Sequence, residues 1–488
     1  MSDTLADLLI CDDRSVREAL AVIDRNAQGI CFAVDDGGRL TGVLTDGDIR
    51  RWLLAGGPLD RPVAEVMQRN FTALPVGTPA EHIQARLDGT VRHIPLVDER
   101  GVPVDFASLR RTHRIQVMAP QLDGNELRYV TECLRTGWIS SQGAYVKRFE
   151  AGFAERCRVP HALAVSNGTV AIHLALVALG IGEGDEVIVP DLTFAASINT
   201  ILHAGATPVI ADVHPVTWTL DPAAVERLIT PRTKAIMPVH LYGHPCHMDE
   251  LMALARTHGL FVVEDCAEAL GALYKGRPVG SFGDAATFSF FGNKTITTGE
   301  GGMVLFRDAE VAARATMLRD HGMDKQRRYW HLEVGYNYRM TNLQAAIGVA
   351  QLERLDGFVQ AKRDLAAVYT AGLGAIGDMT PPPEESWATN GFWLYSCLVG
   401  DGFGLGRDEV MDRMARNGIE TRPLFFPLHT MPPYGRHVRP GQTFPVSARL
   451  SAAGLSLPSS STITRAEQDR VLDVLRAIKR TRQLHARA

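Results

Sequence analysis

Short apolar strands alternate with helical segments through the middle of this 488-residue chain, from about residue 114 to residue 360. The strand-like runs are residues 163–165, 186–190, 207–211, 235–239, 260–265, 287–291 and 303–306. Parallel strands need a crossover that is usually a helix, so this alternation predicts an α/β domain with a mostly parallel sheet. Because ligands bind at the carboxyl ends of such strands, the residues that follow each strand are the candidates for a site.

A single lysine, Lys294, lies in a glycine-bounded loop between the runs 287–291 and 303–306. Lysine side chains usually lie on solvated surfaces. A lysine that is held away from water loses its proton more easily, and its amine can then attack a carbonyl carbon. The loop therefore predicts a catalytic lysine that forms a Schiff base with an aldehyde cofactor. The alternative is a surface turn that contains a lysine by chance.

Two strand-to-helix turns offer groups that would bind a flat, phosphorylated cofactor. Gly168 and Thr169 open an apolar helix, and the free N–H groups at a helix start bind phosphate. Phe194 lies at the start of the next helix, where an aromatic ring would stack on the cofactor. The alternatives are a threonine cap without a ligand and a phenylalanine of the core.

A buried strand at residues 260–265 ends in two acids, of which Asp265 is the second. A carboxylate at this position costs free energy unless it is paired. Paired with a pyridinium nitrogen, Asp265 would keep the ring protonated and make it an electron sink, as transamination requires. An aspartate that caps the following helix is the alternative. A phosphate site, a ring face, a pyridinium partner and a lysine for the aldehyde together predict pyridoxal phosphate.

Composition argues against several other classes of function. The 51 basic and 55 acidic residues give a formal net charge of −4, which offers no electrostatic case for nucleic acid or an anionic membrane. The seven cysteines include no pair at CxxC spacing, so we expect no metal site and no disulfide framework. No apolar run is long enough for a membrane span, and the N-terminus lacks the basic start of a signal peptide. These features predict a soluble cytoplasmic protein.

Residues from about 115 to 485 closely resemble the sugar aminotransferases of the DegT/DnrJ/EryC1/StrS family, which are fold-type I enzymes that use pyridoxal phosphate. The motifs that carry the resemblance are SNGTVAIHLAL, GDEVIVPDLTF, TKAIMPVHLYG, VVEDCAEALGA, GSFGDAATFSFFGNKTITTGEGGM and GYNYRMTNLQAAIG. The resemblance implies a large domain at residues 114–360 with a mostly parallel, seven-stranded sheet, and a small α+β domain at residues 361–488. The elements expected in the small domain are strands at residues 391–399 and 419–426, and helices at residues 407–416 and 465–480.

The resemblance also implies roles for particular residues. Ser289 and Asn337 would bind the phosphate, with Asn337 reaching in from the second subunit of a homodimer that shares its active sites. Glu268 occupies a position where many relatives carry glutamine, and it would lie against the cofactor ring or its hydroxyl group. His321 and Arg422 are the candidate contacts to the substrate.

Within the family, the segments GNKTITTGEGGM and GWISSQGAYVKRFE resemble perosamine synthases. This likeness implies transfer of the amino group of L-glutamate to C4 of a nucleotide-linked 4-keto-6-deoxysugar, with GDP-4-keto-6-deoxy-D-mannose giving GDP-perosamine. Lysine rather than histidine at position 294 favours transamination over the dehydration that a related branch performs. The alternatives are a UDP- or dTDP-linked substrate, and a regulatory protein without catalytic activity.

The first 113 residues contain two copies of one pattern, which predicts a duplicated α+β module. They resemble a CBS pair, a regulatory module that often binds adenine nucleotides. The segment GVLTDGD carries the resemblance, which implies that Thr45 and Asp48 contact the ribose of a nucleotide; a helix cap made by the same two residues is the alternative. The second copy lacks the Thr-x-x-Asp spacing, so any nucleotide site is expected in the first. We also expect a helix near residues 80–87 and a basic linker at residues 110–114.

Overall fold

The computed structural model describes residues 5–79, 82–83, 85–87, 90–108 and 115–485. The chain divides into two compact units, Met1–Arg114 and Ile115–Ala488. The helix predicted near residues 80–87 lies partly outside the described residues, and the linker predicted at residues 110–114 lies wholly outside them.

The first unit contains two three-stranded sheets of the same topology. Its elements are α1 (Val16–Asn26), α2 (Asp46–Leu54), β1 (Leu9–Cys11), β2 (Ile30–Val34), β3 (Leu40–Thr45), β4 (Leu74–Pro75), β5 (His93–Val97) and β6 (Pro103–Ser108). In each sheet the first strand pairs parallel with the second, and the second pairs antiparallel with the third. Thr45 pairs with Ile30 in the first sheet, and Ser108 pairs with His93 at the same place in the second. The predicted duplication is therefore confirmed.

A seven-stranded sheet forms the centre of the second unit. The strands in this part of the chain are β7 (His161–Val165), β8 (Glu186–Pro190), β9 (Thr207–Ala211), β10 (Thr233–Ile236), β11 (Phe261–Asp265), β12 (Leu273–Tyr274), β13 (Arg277–Pro278), β14 (Ala285–Ser289) and β15 (Gly302–Phe306). The sheet has the order β7–β15–β14–β11–β10–β8–β9, with β15 antiparallel to both neighbours and the other adjacent pairs parallel. The mostly parallel, seven-stranded sheet of the prediction is confirmed.

Helices pack on both faces of this sheet. The helices of the second unit are α3 (Glu126–Thr136), α4 (Ala144–Cys157), α5 (Gly168–Ala178), α6 (Ala195–His203), α7 (Pro222–Leu228), α8 (Met248–His258), α9 (Ala309–Leu318), α10 (Asn342–Leu352), α11 (Leu355–Ile376), α12 (Arg407–Arg416), α13 (Pro445–Ala453) and α14 (Arg465–His485). On one face α5 is buried along nearly its whole length. On the other, Phe153 of α4 packs 4.9 Å from Phe288, ring to ring. Covered on both faces, the strands are continuous apolar runs.

A smaller antiparallel sheet follows in the chain. Its strands are β16 (Met379–Thr380), β18 (Tyr395–Val399), β19 (Arg422–Pro423) and β20 (Gly454–Leu457), while β17 (Ala388–Thr389) pairs with β12 elsewhere. The prediction of a strand at residues 419–426 is wrong in extent, since the observed strand is only β19. Pro423 and Pro427 have no N–H to donate to a neighbouring strand, and within a sheet proline is confined to edge strands.

The strand predicted at residues 391–399 begins later than expected, at Tyr395. Phe392 has a φ of 45°, a left-handed conformation that a strand does not accept. The helix predicted at residues 407–416 is confirmed. Among the helices that the structure describes, none combines the length and the apolar character that crossing a bilayer needs.

Candidate active site

A cavity of about 670 Å³ opens at the carboxyl ends of the parallel strands. This is the edge at which α/β sheets bind ligands, because the turns that follow parallel strands all converge there. Residues that follow β7, β8, β11 and β14 line the cavity, together with residues near β18 and β19. The lining residues with binding or ionisable groups include Gly168, Thr169, Thr193, Phe194, Tyr242, Asp265, Glu268, Ser289, Asn293, Lys294, Trp393 and Arg422.

Lys294 lies in the turn after β14, and its amine is inside the cavity. Phe290 is fully buried and anchors the start of this turn in the core. The Nζ atom lies 3.9 Å from Oε1 of Glu268 and 3.8 Å from the centroid of a Trp393 ring. The side chain is only 13% exposed, so Lys294 is not a surface lysine. Burial lowers the pKa of Lys294, whereas Glu268 and Asp265 oppose that shift.

Asp265 is the last residue of β11, and its carboxylate is buried at the floor of the cavity. The hydroxyl of Ser197 donates to Oδ2 at 2.8 Å, and the N–H of Ala267 donates to Oδ1 at 3.1 Å. Burial raises the pKa of Asp265, against the effect of these two donors. A positively charged ring nitrogen beside this carboxylate would reverse the shift, since an opposite charge favours ionisation.

Glu264 precedes Asp265 and points to the other face of the sheet, because strand side chains alternate. Its carboxylate pairs with Nε2 of His240 at 3.0 Å and accepts three backbone N–H groups of residues 280–283. Cys266 lies nearby, and the ligand atoms of these three residues lie within 4.8 Å of one another. The Nδ1 of His240 accepts the N–H of Cys246 at 3.0 Å, so both ring nitrogens are engaged. The cluster therefore supports β11 and leaves no imidazole lone pair for a metal ion.

Glu268 contacts both Lys294 and the buried residue Tyr242. Its Oε2 accepts the backbone N–H of Tyr242 at 3.0 Å, and the Tyr242 hydroxyl accepts the N–H of Phe425 at 2.9 Å. Burial raises the pKa of Glu268 to about 7, although the nearby Lys294 lowers it. Glu268 therefore exchanges a proton near neutral pH, at 3.9 Å from the lysine amine.

The start of α5 forms a cradle for an anion. The Asn167 side chain caps the helix by accepting the N–H of Val170 at 3.0 Å. Within the described residues, the N–H groups of Gly168 and Thr169 have no protein acceptor. A Cβ atom on Gly168 would lie 2.7 Å from the Cβ of Ser289, so only glycine lets this helix approach β14 so closely. Two free N–H groups at a helix start, beside a serine hydroxyl, suit a phosphate.

Phe194 is the residue that precedes α6, and its ring lies at the cavity mouth. It is 60% exposed, so it is not a core residue. Its ring centroid lies 5.9 Å from that of Phe425. An exposed ring in this position is available to cover one face of a flat ligand.

Two of the predicted residues are not brought into the cavity of the same chain. Asn337 and His321 are exposed and lie outside its lining. Arg422 does line the cavity, and its guanidinium lies 3.8 Å from Glu420. His429 also lies outside the lining and pairs with buried Asp191 at 2.7 Å.

Thr45 and Asp48 lie in the first unit and form a capping box at the start of α2. The Asp48 Oδ2 accepts the N–H of Thr45 at 2.9 Å and its hydroxyl at 2.6 Å. Its Oδ1 accepts from Arg51 at 2.6 Å and from Gln68 at 2.9 Å. Both carboxylate oxygens are thus engaged within the protein, as the capping alternative expects.

Three residues of the site were missed by the sequence reasoning, namely Ser197, Tyr242 and Trp393. Tyr242 follows the predicted strand at residues 235–239, which was a usable signal for a site position. Ser197 and Trp393 gave no such signal, because a serine inside a helix and a tryptophan beside a strand are ordinary residues there.

The groups around the cavity fit pyridoxal 5'-phosphate. The free N–H groups of Gly168 and Thr169 with Ser289 match the phosphate. The buried Asp265 matches a protonated ring nitrogen, and the buried amine of Lys294 matches the aldehyde. These groups all line one cavity.

Comparison with known proteins identifies the family of this chain. Residues 120–476 match the DegT/DnrJ/EryC1/StrS aminotransferase family, and residues 7–55 and 63–111 each match the CBS domain. The chain is 52% identical over 363 residues to the GDP-perosamine synthase of Caulobacter vibrioides, which covers 74% of this chain and 97% of that protein. It is 49% identical over 350 residues to the GDP-perosamine synthase of Escherichia coli O157:H7, with coverages of 72% and 94%. The solved structure of Spr1654 from Streptococcus pneumoniae in its PLP form has a TM-score of 0.71 at 27% identity, covering 76% of this chain and 100% of that one.

The family match spans both the large sheet and the small one, and the cavity between them holds the groups that the cofactor needs. The chain therefore belongs to the DegT/DnrJ/EryC1/StrS family and is a pyridoxal-phosphate-dependent sugar aminotransferase.

Proposed function

We propose that the protein transfers the amino group of L-glutamate to C4 of GDP-4-keto-6-deoxy-D-mannose, which gives GDP-perosamine. The observation that carries the proposal is the buried amine of Lys294, held between carboxylates at the carboxyl edge of the sheet. The likeness to two GDP-perosamine synthases, over nearly their whole length, supports this choice of nucleotide sugar.

Five residues of the cavity have a role in the proposed reaction. When bound, pyridoxal phosphate supplies an aldehyde carbon for the amine and a ring that accepts an electron pair. Lys294 would supply the amine that bonds to this aldehyde carbon and, as a free amine, would carry a proton between the reacting carbon atoms. Asp265 would hold the ring nitrogen in its charged form. Gly168, Thr169 and Ser289 would bind the phosphate and so orient the cofactor.

The residue at position 294 also selects the type of reaction. A lysine amine can both bond to the cofactor and carry the proton, so amino transfer is favoured over loss of water from the sugar. Arg422, with its cation at the cavity wall, is our candidate contact for the diphosphate of the substrate.

We propose that the active enzyme is a homodimer in which Asn337 completes the phosphate site of the partner subunit. Asn337 is exposed and lies outside the cavity of its own chain, which supports this assignment. Nearby exposed apolar side chains would be covered by a second copy; they are Tyr329, Trp330, Leu332 and Val334, the last of which is 92% exposed.

For the first unit we propose regulation by an adenine nucleotide at Thr45 and Asp48, in keeping with its CBS match. A ribose at Asp48 would have to displace the bonds from Thr45, Arg51 or Gln68. Calorimetry of the whole protein with AMP, ATP and GDP tests this. Binding that Asp48→Ala abolishes would support the proposal, and no heat with any nucleotide would leave the capping role alone. We place the enzyme in the cytoplasm, where its seven free cysteines stay reduced.

The amino-transfer proposal has a direct test. Protein incubated with pyridoxal phosphate and then gel-filtered should keep a visible absorption band, which glutamate shifts and Lys294→Ala removes. Turnover is then measured with glutamate and GDP-, UDP- or dTDP-linked 4-keto-6-deoxysugars, and we expect the GDP-linked substrate to be preferred. Preference for a UDP or dTDP sugar would overturn the choice of nucleotide. A cofactor-loaded protein with no turnover of any of them would favour the non-catalytic alternative.

A further inference from the structure

Lys362 is a fully buried lysine outside the cavity, on the long helix α11. Within the described residues it has no ion-pair partner, and burial alone lowers its pKa to about 7. Its Nζ donates to the backbone carbonyl of Trp393 at 3.1 Å, to that of Ser459 at 2.9 Å, and to the sulfur of Met118 at 3.5 Å. A buried amine of this kind costs free energy. Its position therefore calls for a reason beyond packing.

The Trp393 carbonyl belongs to a residue that contacts the active-site turn. The indole Nε1 of Trp393 donates to the backbone carbonyl of Asn293 at 2.7 Å. A ring of the same indole lies 3.8 Å from the Nζ of Lys294. A continuous chain of contacts thus runs from the Lys362 amine, through the backbone and ring of Trp393, to the turn that carries Lys294.

The backbone at Trp393 needs such support. The preceding residue, Phe392, has a left-handed φ of 45°, which is strained for an aromatic residue. Trp393 also lies beyond the end of the β18–β20 ladder, whose last backbone pair is Tyr395 with Leu457. The Ser459 hydroxyl accepts the N–H of Tyr395 at 2.8 Å, and the Lys362 amine then bonds both carbonyls past this point. Lys362 thereby takes the place of a ladder hydrogen bond.

We propose that Lys362 is a positioning residue for amino transfer, which fixes the Trp393 backbone so that the indole holds the Asn293–Lys294 turn. It does not contact the substrate and acts only through Trp393. This inference rests on the role of Lys294 in the proposed function.

The first test compares Lys362→Met with a matched control, Lys479→Met. Lys479 also bonds two backbone carbonyls, those of Ile376 at 2.6 Å and Gly377 at 3.1 Å, but it does not line the cavity or contact a residue that does. We expect Lys362→Met to lower kcat by about tenfold or more with KM changed by less than about threefold, because the reacting amine is misplaced while substrate contacts remain. Lys479→Met should keep kcat within about twofold of the wild type.

The second test asks whether the effect passes through the indole. Trp393→Phe keeps an aromatic ring but removes the N–H that bonds Asn293. If the inference holds, adding Lys362→Met to Trp393→Phe lowers kcat much less than it does in the wild type, since both changes break one link. Independent, multiplicative effects would overturn the inference.

A third readout needs no activity. In the cofactor-free protein, the fluorescence difference between wild type and Trp393→Phe isolates Trp393, and acrylamide quenching of that difference reports its exposure. Lys362→Met should increase the quenching, Lys362→Arg should restore the wild-type value, and Lys479→Met should leave it unchanged. If Lys362→Met does not fold, Lys362→Gln carries the same comparisons with one donor group kept.

The two proposals fail in different ways. A wild-type protein that neither binds the cofactor nor turns over a nucleotide sugar rejects the proposed function. An active wild type, with Lys362→Met equal to Lys479→Met in kcat and in quenching, rejects the role of Lys362.

Discussion

Burial shifts the pKa of three side chains on the cavity floor. It lowers the pKa of Lys294, raises that of Asp265, and raises that of Glu268 to about 7. The first shift makes the amine easier to deprotonate, and the last brings the pKa of Glu268 close to neutral pH. Lys294 and the two carboxylates oppose the effect of burial on one another, whereas Asp265 adds to that effect at Glu268, so a substitution at any one of them changes the pKa of the others.

Asp265→Asn should lower kcat by about 100-fold or more, because the amide cannot stabilise a positive charge on the ring nitrogen. Asp212→Asn is a suitable control: Asp212 accepts the N–H groups of Val446 and Ser447 at 3.0 Å but lies outside the cavity lining. Steady-state kinetics with glutamate measures both variants. Similar losses of kcat in the two would contradict the role of Asp265.

Glu268→Gln should remove a pH dependence of stability from the cofactor-free protein. Burial raises the pKa of Glu268 from 4.5 to about 7, so between these values the folded chain keeps a proton that the unfolded chain has lost. The free energy of unfolding therefore falls as the pH rises through this window, by about 3 kcal/mol at most. Glutamine does not ionise, and its oxygen can still accept the Tyr242 N–H.

Urea unfolding at about pH 5 and about pH 8 measures this difference. We expect Glu268→Gln to be the more stable protein at the higher pH only. Glu250→Gln, with an exposed carboxylate, is the matched control and should show no such gain. The same unfolding free energy for wild type and Glu268→Gln at the higher pH would contradict the prediction.

At the scale of elements, the site depends on how closely α5 approaches β14. Gly168 opens the helix against Ser289, and Gly302 of β15 lies against the Asn167 carbonyl, where a Cβ would come within 2.4 Å. Two glycines thus bring a helix start and two strands together at the phosphate position. The free N–H groups of the helix start can bind a phosphate beside Ser289 only because of this close approach.

Gly168→Ala should weaken pyridoxal phosphate binding by about tenfold or more, because the new methyl group must push α5 away from Ser289. Gly374→Ala on α11 is the control, since a Cβ there meets no atom within 4 Å and alanine favours a helix. Titration of the cofactor-free proteins with pyridoxal phosphate, followed by absorbance, measures both affinities. Unchanged affinity in Gly168→Ala would show that the cradle lies elsewhere.

At the scale of the whole molecule, the second unit has its candidate catalytic groups in one cavity, whereas Asn337 lies outside that cavity. A shared site explains this if the second copy supplies the residue. The first unit has its own sheets and its own core, so the proposed nucleotide site can be tested on the full chain by substitutions within the first unit alone.

Mixed dimers test the sharing. Lys294→Ala and Asn337→Asp each damage both sites of their own homodimer, the second by placing a negative charge beside the phosphate. A heterodimer of the two, purified with two tags, contains one intact site if Asn337 serves the partner, and should regain roughly half the wild-type kcat per dimer. If Asn337 serves its own chain, both sites stay damaged and no activity returns.

The sequence by itself determined the elements of the sheet and the candidate residues at the strand ends. The alternation of strands and helices predicts the parallel sheet. Local pattern is enough to place Lys294, Asp265 and the Gly168 turn at the sheet edge, because each lies at or just after the end of a strand that is recognisable from its apolar run. Local pattern fails where backbone chemistry competes with it, as at residues 419–426, where Pro423 and the following Pro427 limit the strand to Arg422–Pro423.

Only the tertiary structure decided which distant residues share the cavity. Ser197, Tyr242 and Trp393 lie on segments with no special pattern, and they meet the site through packing between elements far apart in the chain. The same is true of Lys362, which reads as an ordinary helix residue until its burial is seen. Burial and long-range contacts set the pKa of a group, and neither is encoded in residue type or spacing alone.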